Sequence, residues 1–327
     1  MRYSAHRAHS ASRVAAPHLG HFEGGTNDHP RPRDKRLAAR FSAANQWRRG
    51  PSGNARIART AAKPFGGAVV STRTHPVRVE NPETIRSVVE RDPVETAFLS
   101  YWVFHQTARD VYVDGLPPRA VLSISHAAPP ITFRFAGLVA ANPASADVVL
   151  EAAKPGPSFV FLSDLGHLDA VRRRAGIEHI RPAWLYRFDR DGFVDVQRHE
   201  VRPVDPIWAQ KIAPLWDSDW DSTNYVRTRL EQGPALGIYD GDELVAWYAT
   251  HLETDRVVIM GFLHVLDAYR GRGYARSLSC ALAKEIFRRG KIPACHVYED
   301  NTPSLHLMDS LGLRRVKRQA FAEVTFR

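Results

Sequence analysis

The longest patterned run of the chain, Val257 to Gly290, changes its hydrophobic period once. Val257 to Leu266 is almost continuously apolar, as a buried strand requires. From Tyr274 onward Leu278, Ala281, Leu282 and Ile286 fall on one face of a helix. Between the two lies Tyr269 to Gly273, a short turn carrying two glycines. The run predicts strand, turn, helix. After it, PACHVYED reads as a strand stopped by Asn301, a good N-cap for a helix over TPSLHLMDSL that closes at Gly312. RRVKRQAFAEVTFR then reads as a last pair of strands. Before it, ALGIYD and ELVAWYATHLE form a hairpin around Asp240-Gly241-Asp242. That hairpin is preceded by a strand near Glu200 to Val204 and by helices over PIWAQKIAPLW and STNYVRTRLEQG, the second bounded by Ser222 and Gly233. Residues 196–327 thus predict an α/β domain with a mixed, mostly antiparallel sheet of about six or seven strands and helices on both faces.

The preceding stretch, 76–195, predicts a second α/β unit. NPETIRSVVERDP is an amphipathic helix, and the aromatic-rich ETAFLSYWVFHQTAR a second one. VYVDGLPPRAVLSISHAAPPITFRFAGLV alternates in short pieces bounded by Gly and Pro, which predicts strands and a hairpin. FVFLSD, LGHLDAVRRRAG and AWLYRFD give a closing strand, helix, strand. The turn RDGF and the polar VQRHEVRPVD mark the boundary between the two units. Residues 1–75 keep neither period and are rich in Arg, Ala, Ser, Gly, Pro and His, so too little apolar surface is available to offset ordering, and a disordered basic leader is expected. It reads as a transit peptide, a nucleic-acid-binding tail or a translated extension upstream of the true start. Its histidines (His6, His9, His18, His21, His29, His75) lack metal-ligand spacing.

Charge sharpens that division. The chain carries +10 in total, and residues 1–75 hold fourteen Arg or Lys against Glu23, Asp28 and Asp34, which is +11, leaving −1 for residues 76–327. A nucleic-acid partner is therefore expected only through the leader. At 327 residues, 44% hydrophobic, the chain can hold two modest cores. No apolar run approaches the ~18 residues of a membrane span, and no membrane partner is expected. Cys280 and Cys295 are too few for a disulfide framework and too scattered for a metal site, so both read as buried small hydrophobes, no metal is expected, and a cytoplasmic location fits.

The turn before the Tyr274 helix has a chemical consequence. The first turn of a helix leaves backbone N–H groups without intrahelical partners at the positive end of its dipole. Gly271 and Gly273 carry no side chain to keep an anion away, so the amides from Gly271 through Tyr274, Ala275 and Arg276 can converge on a phosphate, with Arg270, Arg272 and Arg276 at the rim. Neither a nucleoside-triphosphate loop nor a dinucleotide-binding fingerprint is spaced this way. A pyrophosphate-bearing cofactor remains.

Arg270-Gly271-Arg272-Gly273-Tyr274-Ala275, after a strand ending in Val265, resembles the acyl-coenzyme-A-binding signature of the GCN5-related N-acetyltransferase superfamily. The wider runs HVLDAYRGRGYA and PACHVYEDNTPSLHLMDSLGL resemble glycine N-acyltransferase-like and FR47-like members, and the middle unit resembles the degenerate N-terminal half that such proteins carry. The resemblance implies acetyl-CoA or another acyl-CoA as cosubstrate. It implies a pantetheine arm lying along Leu263 to Leu266, with the Val265 amide facing the thioester carbonyl, and contacts from Asn301 and Ser304. Asn301 is equally well read as a helix cap, and Ser304 as an ordinary first-turn residue.

The attacking amine must be neutral. At pH 7 that costs roughly 4 to 5 kcal/mol for a lysine-like amine but only about 1.4 kcal/mol for an α-amino group. An amino-acid-type acceptor therefore asks least of the protein. The glutamate that many relatives carry on the central strand is missing between Arg256 and Leu266, which leaves His264 as the titratable group best placed to act as base, with His251, His296 and Tyr298 behind it. The tyrosine that members often carry four residues before the last helix's glycine is here Met308, so the thiolate leaves unaided or Tyr298 substitutes. The expected function is acyl-CoA-dependent N-acylation of a small primary amine or amino acid. A protein N-acetyltransferase and a non-catalytic acyl-CoA-binding regulator are the alternatives.

Overall fold

In a computed structural model the protein is described over residues 75–107, 109–126, 133–216 and 221–327. The expected leader falls almost wholly outside these. Among the described residues twelve strands form one sheet: β1 (Val77–Arg78), β2 (Arg109–Val113), β3 (Ala120–Ser125), β4 (Arg134–Ala140), β5 (Gly156–Leu162), β6 (Ala175–Arg187), β7 (Arg202–Pro203), β8 (Leu236–Asp240), β9 (Glu243–Glu253), β10 (Val257–Val265), β11 (Ile292–Tyr298) and β12 (Arg314–Phe326). Their order is β1-β2-β3-β4-β5-β12-β6-β11-β10-β9-β8-β7, and only β4/β5 and β10/β11 pair in parallel. The helices are α1 (Arg86–Val89), α2 (Ala97–Phe104), α3 (Pro143–Val149), α4 (Leu168–Arg174), α5 (Ala209–Trp216), α6 (Thr223–Gln232), α7 (Tyr274–Arg288) and α8 (Thr302–Ser310). The mixed, mostly antiparallel α/β sheet flanked by helices is the predicted class.

Three local expectations change. RRVKRQAFAEVTFR is one strand, not two, because its polar middle does not turn out of the sheet. Gln319 is fully buried there and satisfies its amide within the core, donating to the Glu95 carbonyl at 2.8 Å. β6 begins at Ala175, inside the stretch expected to be helix, since β12 pairs with it from Arg314 to Phe326 and holds all thirteen residues extended. α3 was not foreseen, although Asn142 caps it through the Ser145 amide and Pro143 opens it.

The chain halves interleave. β12, from the end of the chain, sits between β5 and β6, and β6 sits between β12 and β11. Residues 188–201 link the halves without strand or helix. On one face of the C-terminal strands, Leu278, Leu282 and Ile286 of α7 bury completely against Tyr186, Val258, Met260 and Cys295. At roughly 1.5 to 3 kcal/mol per buried large aliphatic side chain, this stripe anchors α7, and with it the loop at its start. On the opposite face, α5 and α6 pack over Trp247, Ala249 and Phe262, and α2 packs over Leu185, Ile259 and Ala294.

Candidate functional site

β10 is bent away from β11 by two irregularities. Between Ile259/Leu252 and Met260/Thr250 the pairing skips His251 on β9, and between Gly261/Ala249 and His264/Trp247 it skips a residue on β10. The first works only with glycine at 261, where a Cβ would lie 2.0 Å from the His251 ring. The second places Phe262 at φ 61, a left-handed conformation rare for a non-glycine residue. Beyond this point β10 and β11 part. Their pairing ends at Met260/Cys295, although the strands continue to Val265 and Tyr298.

The gap has one edge ready to bond. The Leu266 amide donates to Val245 on β9 at 3.0 Å, so by strand alternation the backbone groups of Val265 face the gap. The Arg270 guanidinium, reaching the Val265 carbonyl from that side at 3.2 Å, agrees with this orientation. Leu263, Val265 and Leu266 are partly buried along the same edge, next to Tyr274.

Immediately beyond lies the loop. Gly271 (φ 76) and Gly273 (φ 82) are both left-handed, a Cβ on Gly271 would meet nothing within 4 Å, and Gly273 caps the fifteen-residue α7 without any side-chain acceptor for its first amides. The amides of Tyr274, Ala275 and Arg276 therefore lie at the positive helix end without a capping side chain. The three arginines are tethered. Arg270 pairs with Asp267 at 2.5 Å, Arg272 donates to the Ala268 carbonyl and lies over the Tyr269 ring, and Arg276 donates to Ser310 at the end of α8. They supply field at the rim from fixed positions.

His199 has no counterpart in the sequence reading. Its Nε2 lies 2.8 Å from the Arg272 carbonyl and its ring packs edge-on against Tyr274 at 4.7 Å, fixing the loop from below. It was missed because it lies in the irregular linker, more than seventy residues from the loop. Loss of this contact in His199→Ala is expected to weaken coenzyme A binding about fivefold, on the order of 1 kcal/mol for one hydrogen bond, with little change in melting temperature. Calorimetric titration checks it, and an unchanged Kd would remove His199 from the site.

Asn301 and Ser304 are where the cap reading puts them: Asn301 Oδ1 accepts from the Ser304 amide at 3.2 Å. Met308 is buried, with its sulfur 3.5 Å from Cys295. Burial pushes the Cys295 thiol up to about 12 and raises Cys280 too, so neither is a thiolate. Among the described residues no group of His, Cys, Asp or Glu could hold a metal ion, and no helix is long and apolar enough to cross a membrane.

The titratable candidates share the face packed by α2, α5 and α6. His264 stacks on Trp247 at 4.7 Å, and burial, helped by the Arg270 charge, lowers its pKa, so the ring is neutral at pH 7. His251 sits against Phe262 at 4.3 Å with Tyr225 Oη 3.4 Å from its Nδ1, and burial pushes it down to about 3. His296 Nε2 lies 2.7 Å from Gln319 Oε1, whose amide is committed to Glu95; this makes Nε2 the donor and leaves Nδ1 an acceptor, with burial holding the ring down to about 4. Tyr298 lies further along β11, under the Arg181 guanidinium at 3.6 Å and against Phe321. The fold thus brings together the loop residues and the Leu263–Leu266 edge on one side, and the histidines on the other.

Comparison with known proteins agrees with this geometry. Residues 235–322 match the family model described as FR47-like protein. Over these residues the chain is similar to that family, and its fold is that of the GCN5-related N-acetyltransferases. A Drosophila protein of solved structure superposes at a TM-score of 0.62 with 15% identity, covering 77% of this chain and 99% of its own. GCN5-related N-acetyltransferases from Kribbella flavida (TM-score 0.51, 16% identity, 73% of this chain and 95% of that one) and Sphaerobacter thermophilus (0.50, 14%, 78% and 96%) are also similar. No curated protein matches the chain. Because each superposition spans about three quarters of this chain, each takes in residues of both halves.

Proposed function

We propose that the protein is an acyl-CoA-dependent N-acyltransferase acting on a small primary amine, with residues 196–327 as the catalytic unit and 76–195 as a non-catalytic half. The observation that carries this reading is the divergence of β10 from β11 beside an uncapped glycine loop. A pyrophosphate fits the loop because its left-handed glycines leave the surface clear and the α7 amides point into it. An extended amide-bearing arm fits the gap because Val265 presents its N–H there as a strand edge would, beside a C=O that already accepts from Arg270. Acyl-CoA would supply an acyl group activated as a thioester: its C–S bond breaks as the amine's C–N bond forms, and the proton the amine loses leaves on the thiol.

The chain's own residues do the rest. The Val265 amide is the candidate donor toward the developing oxyanion, a contribution worth about 3 kcal/mol where such donors have been removed. His264, neutral beside Trp247, is the candidate acceptor for the amine proton, directly or through water. Tyr298 is the candidate acid, and Arg270, Arg272, Arg276, Asn301 and Ser304 border the cofactor.

The test is release of free thiol from acetyl-CoA against a panel of amines, amino acids and peptides. Turnover with a small amine, absent in Gly273→Asp, is the expected result. Turnover with peptides alone would make the protein a protein acetyltransferase. Cofactor binding without thiol release on any acceptor would make it an acyl-CoA-binding regulator.

A further inference from the structure

Among the histidines beside the gap, His296 is the one whose tautomer is fixed by its partner. It is the first residue of β11 beyond the last pair with β10, and because Cys295 points to Met308 of α8, strand alternation turns His296 to the opposite face. There its ring stands edge-on to Phe161 at 6.0 Å and to Phe321 at 5.2 Å. Its Nε2 lies 2.7 Å from Gln319 Oε1, reached across β6. Ala183, the β6 residue paired with Gln319, is small enough to leave that path open.

The Gln319 amide is held in one orientation. Its nitrogen donates to the Glu95 carbonyl at 2.8 Å and to the Ser163 carbonyl at 3.4 Å. Carbonyl oxygens only accept, so a reversed amide would set oxygen against oxygen twice in a fully buried residue. Both carbonyls belong to the N-terminal half, and both are anchored. Lys317, two residues before Gln319, pairs with Glu95 at 2.9 Å and with Asp164 at 3.6 Å, and the Ser163 amide donates to the Leu138 carbonyl at 3.1 Å.

The chain of donors therefore runs one way. Gln319 gives its protons to the N-terminal half and accepts one from His296 Nε2, which leaves His296 Nδ1 with a lone pair. The two nitrogens of an imidazole point in nearly opposite directions, so with Nε2 turned toward β12, Nδ1 is turned toward β10. Among the described residues Nδ1 has no hydrogen-bond partner, and the side chain keeps partial contact with solvent. The other histidines of this face lack such a device. His264 stacks on Trp247 and makes no hydrogen bond among the described residues, and His251 meets Tyr225 Oη, which can donate or accept.

Resting on the acyltransferase reading, we propose that His296 is a second acceptor for the amine proton, through Nδ1, and that Gln319 is its positioning residue. The N-terminal half then serves the reaction without touching the cofactor, since two of its carbonyls set the tautomer. An arm whose pyrophosphate sits at the loop runs into the gap toward its closed end, and His296 stands at that end. As the amine nitrogen bonds to the acyl carbon, its proton passes to Nδ1, directly or through one water, and the C–S electron pair leaves on sulfur. The imidazolium so formed keeps its Nε2–H on Gln319 Oε1 and gives the Nδ1 proton to the thiolate, which restores the starting tautomer.

One arm of the test needs no turnover. In protein labelled with 15N in histidine, the ring shifts at pH 7.5, assigned by loss of the signal in His296→Ala, should show Nε2 protonated and Nδ1 bare. Gln319→Leu should mix the two tautomers. The second arm follows thiol release from acetyl-CoA with the fastest acceptor among butylamine, phenethylamine, glycine and a lysine-bearing peptide. His296→Ala is expected to lower kcat about a hundredfold, with KM for acetyl-CoA changed less than about threefold, and added imidazole to restore part of the rate. Gln319→Leu is expected to lower kcat about tenfold without rescue by imidazole. A proton on Nδ1 in the parent overturns the proposal, whatever the variants do. So does a folded His296→Ala whose kcat stays within about threefold of the parent. No thiol release by the parent on any of these acceptors overturns the acyltransferase reading and the proton-transfer role of His296 with it, while the ring shifts still decide the positioning by Gln319.

Discussion

Replacing Gly273 by Asp is expected to raise the Kd for coenzyme A about a hundredfold while leaving the protein folded. Gly273 stands at φ 82, ψ 7, as the residue before the first turn of α7. Asp is one of the few side chains that visit this left-handed region, so the backbone cost is about 1 kcal/mol. Part of that is recovered, because a carboxylate at the positive end of a helix is favourable by ~0.3 to 1 kcal/mol. The same carboxylate then occupies the surface from which the Tyr274, Ala275 and Arg276 amides would hold a phosphate, and it repels the ligand's charge. A hundredfold loss corresponds to about 2.7 kcal/mol. Gly273→Asn, equal in shape but uncharged, should lose less than a third of that free energy, which separates repulsion from strain. Calorimetric Kd values for both variants, with melting temperatures as the control, give the answer. An Asp variant that binds like the parent would show that the loop does not hold the pyrophosphate.

That loop was legible from sequence because everything that makes it is local. The run of apolar residues, the two glycines and the helical stripe of Leu278, Leu282 and Ile286 are contiguous, and the strand and helix bounds fall within a residue of those expected. The Asp240-Gly241-Asp242 turn and the Asn301 cap were legible for the same reason. What could not be read is non-local. Nothing in β6 announces that it lies between β11 and β12, because a strand's neighbours are chosen by the whole sheet. The skip at His251 depends on the missing Cβ of Gly261, ten residues away on another strand. Tyr225, Trp216 and His251 look like three unrelated residues until α5, α6 and β9 bring their rings within 6 Å. Gln319 is one polar residue within RRVKRQAFAEVTFR, and its purpose appears only when His296 and Glu95 are found on either side of its amide.

The partly buried histidines His251 and His296 set an acid limit on stability. In the unfolded chain a histidine titrates near ~6.5, whereas in the folded protein burial holds His251 to about 3 and His296 to about 4. Between these values the unfolded state binds more protons, so stability is complete above pH ~7 and falls as the pH drops through 6.5 toward 4. Each histidine should cost roughly 1 to 2 kcal/mol by pH 4.5, after allowance for its partial exposure, out of a total on the order of 5 to 15 kcal/mol. His167 and His264, also lowered by burial, add in the same direction. The carboxylates held low by ion pairs, such as Glu285 at about 2 beside Arg288, act only below pH ~4.5 and leave this window to the histidines. Urea unfolding from pH 7.5 to 4.5 should therefore show a steep loss in the parent. Asn in place of His296 can still donate to Gln319 but cannot take a proton, so His296→Asn should start lower at pH 7.5 and fall less. Parallel curves for parent and variant would mean that His296 is open to water in the folded state.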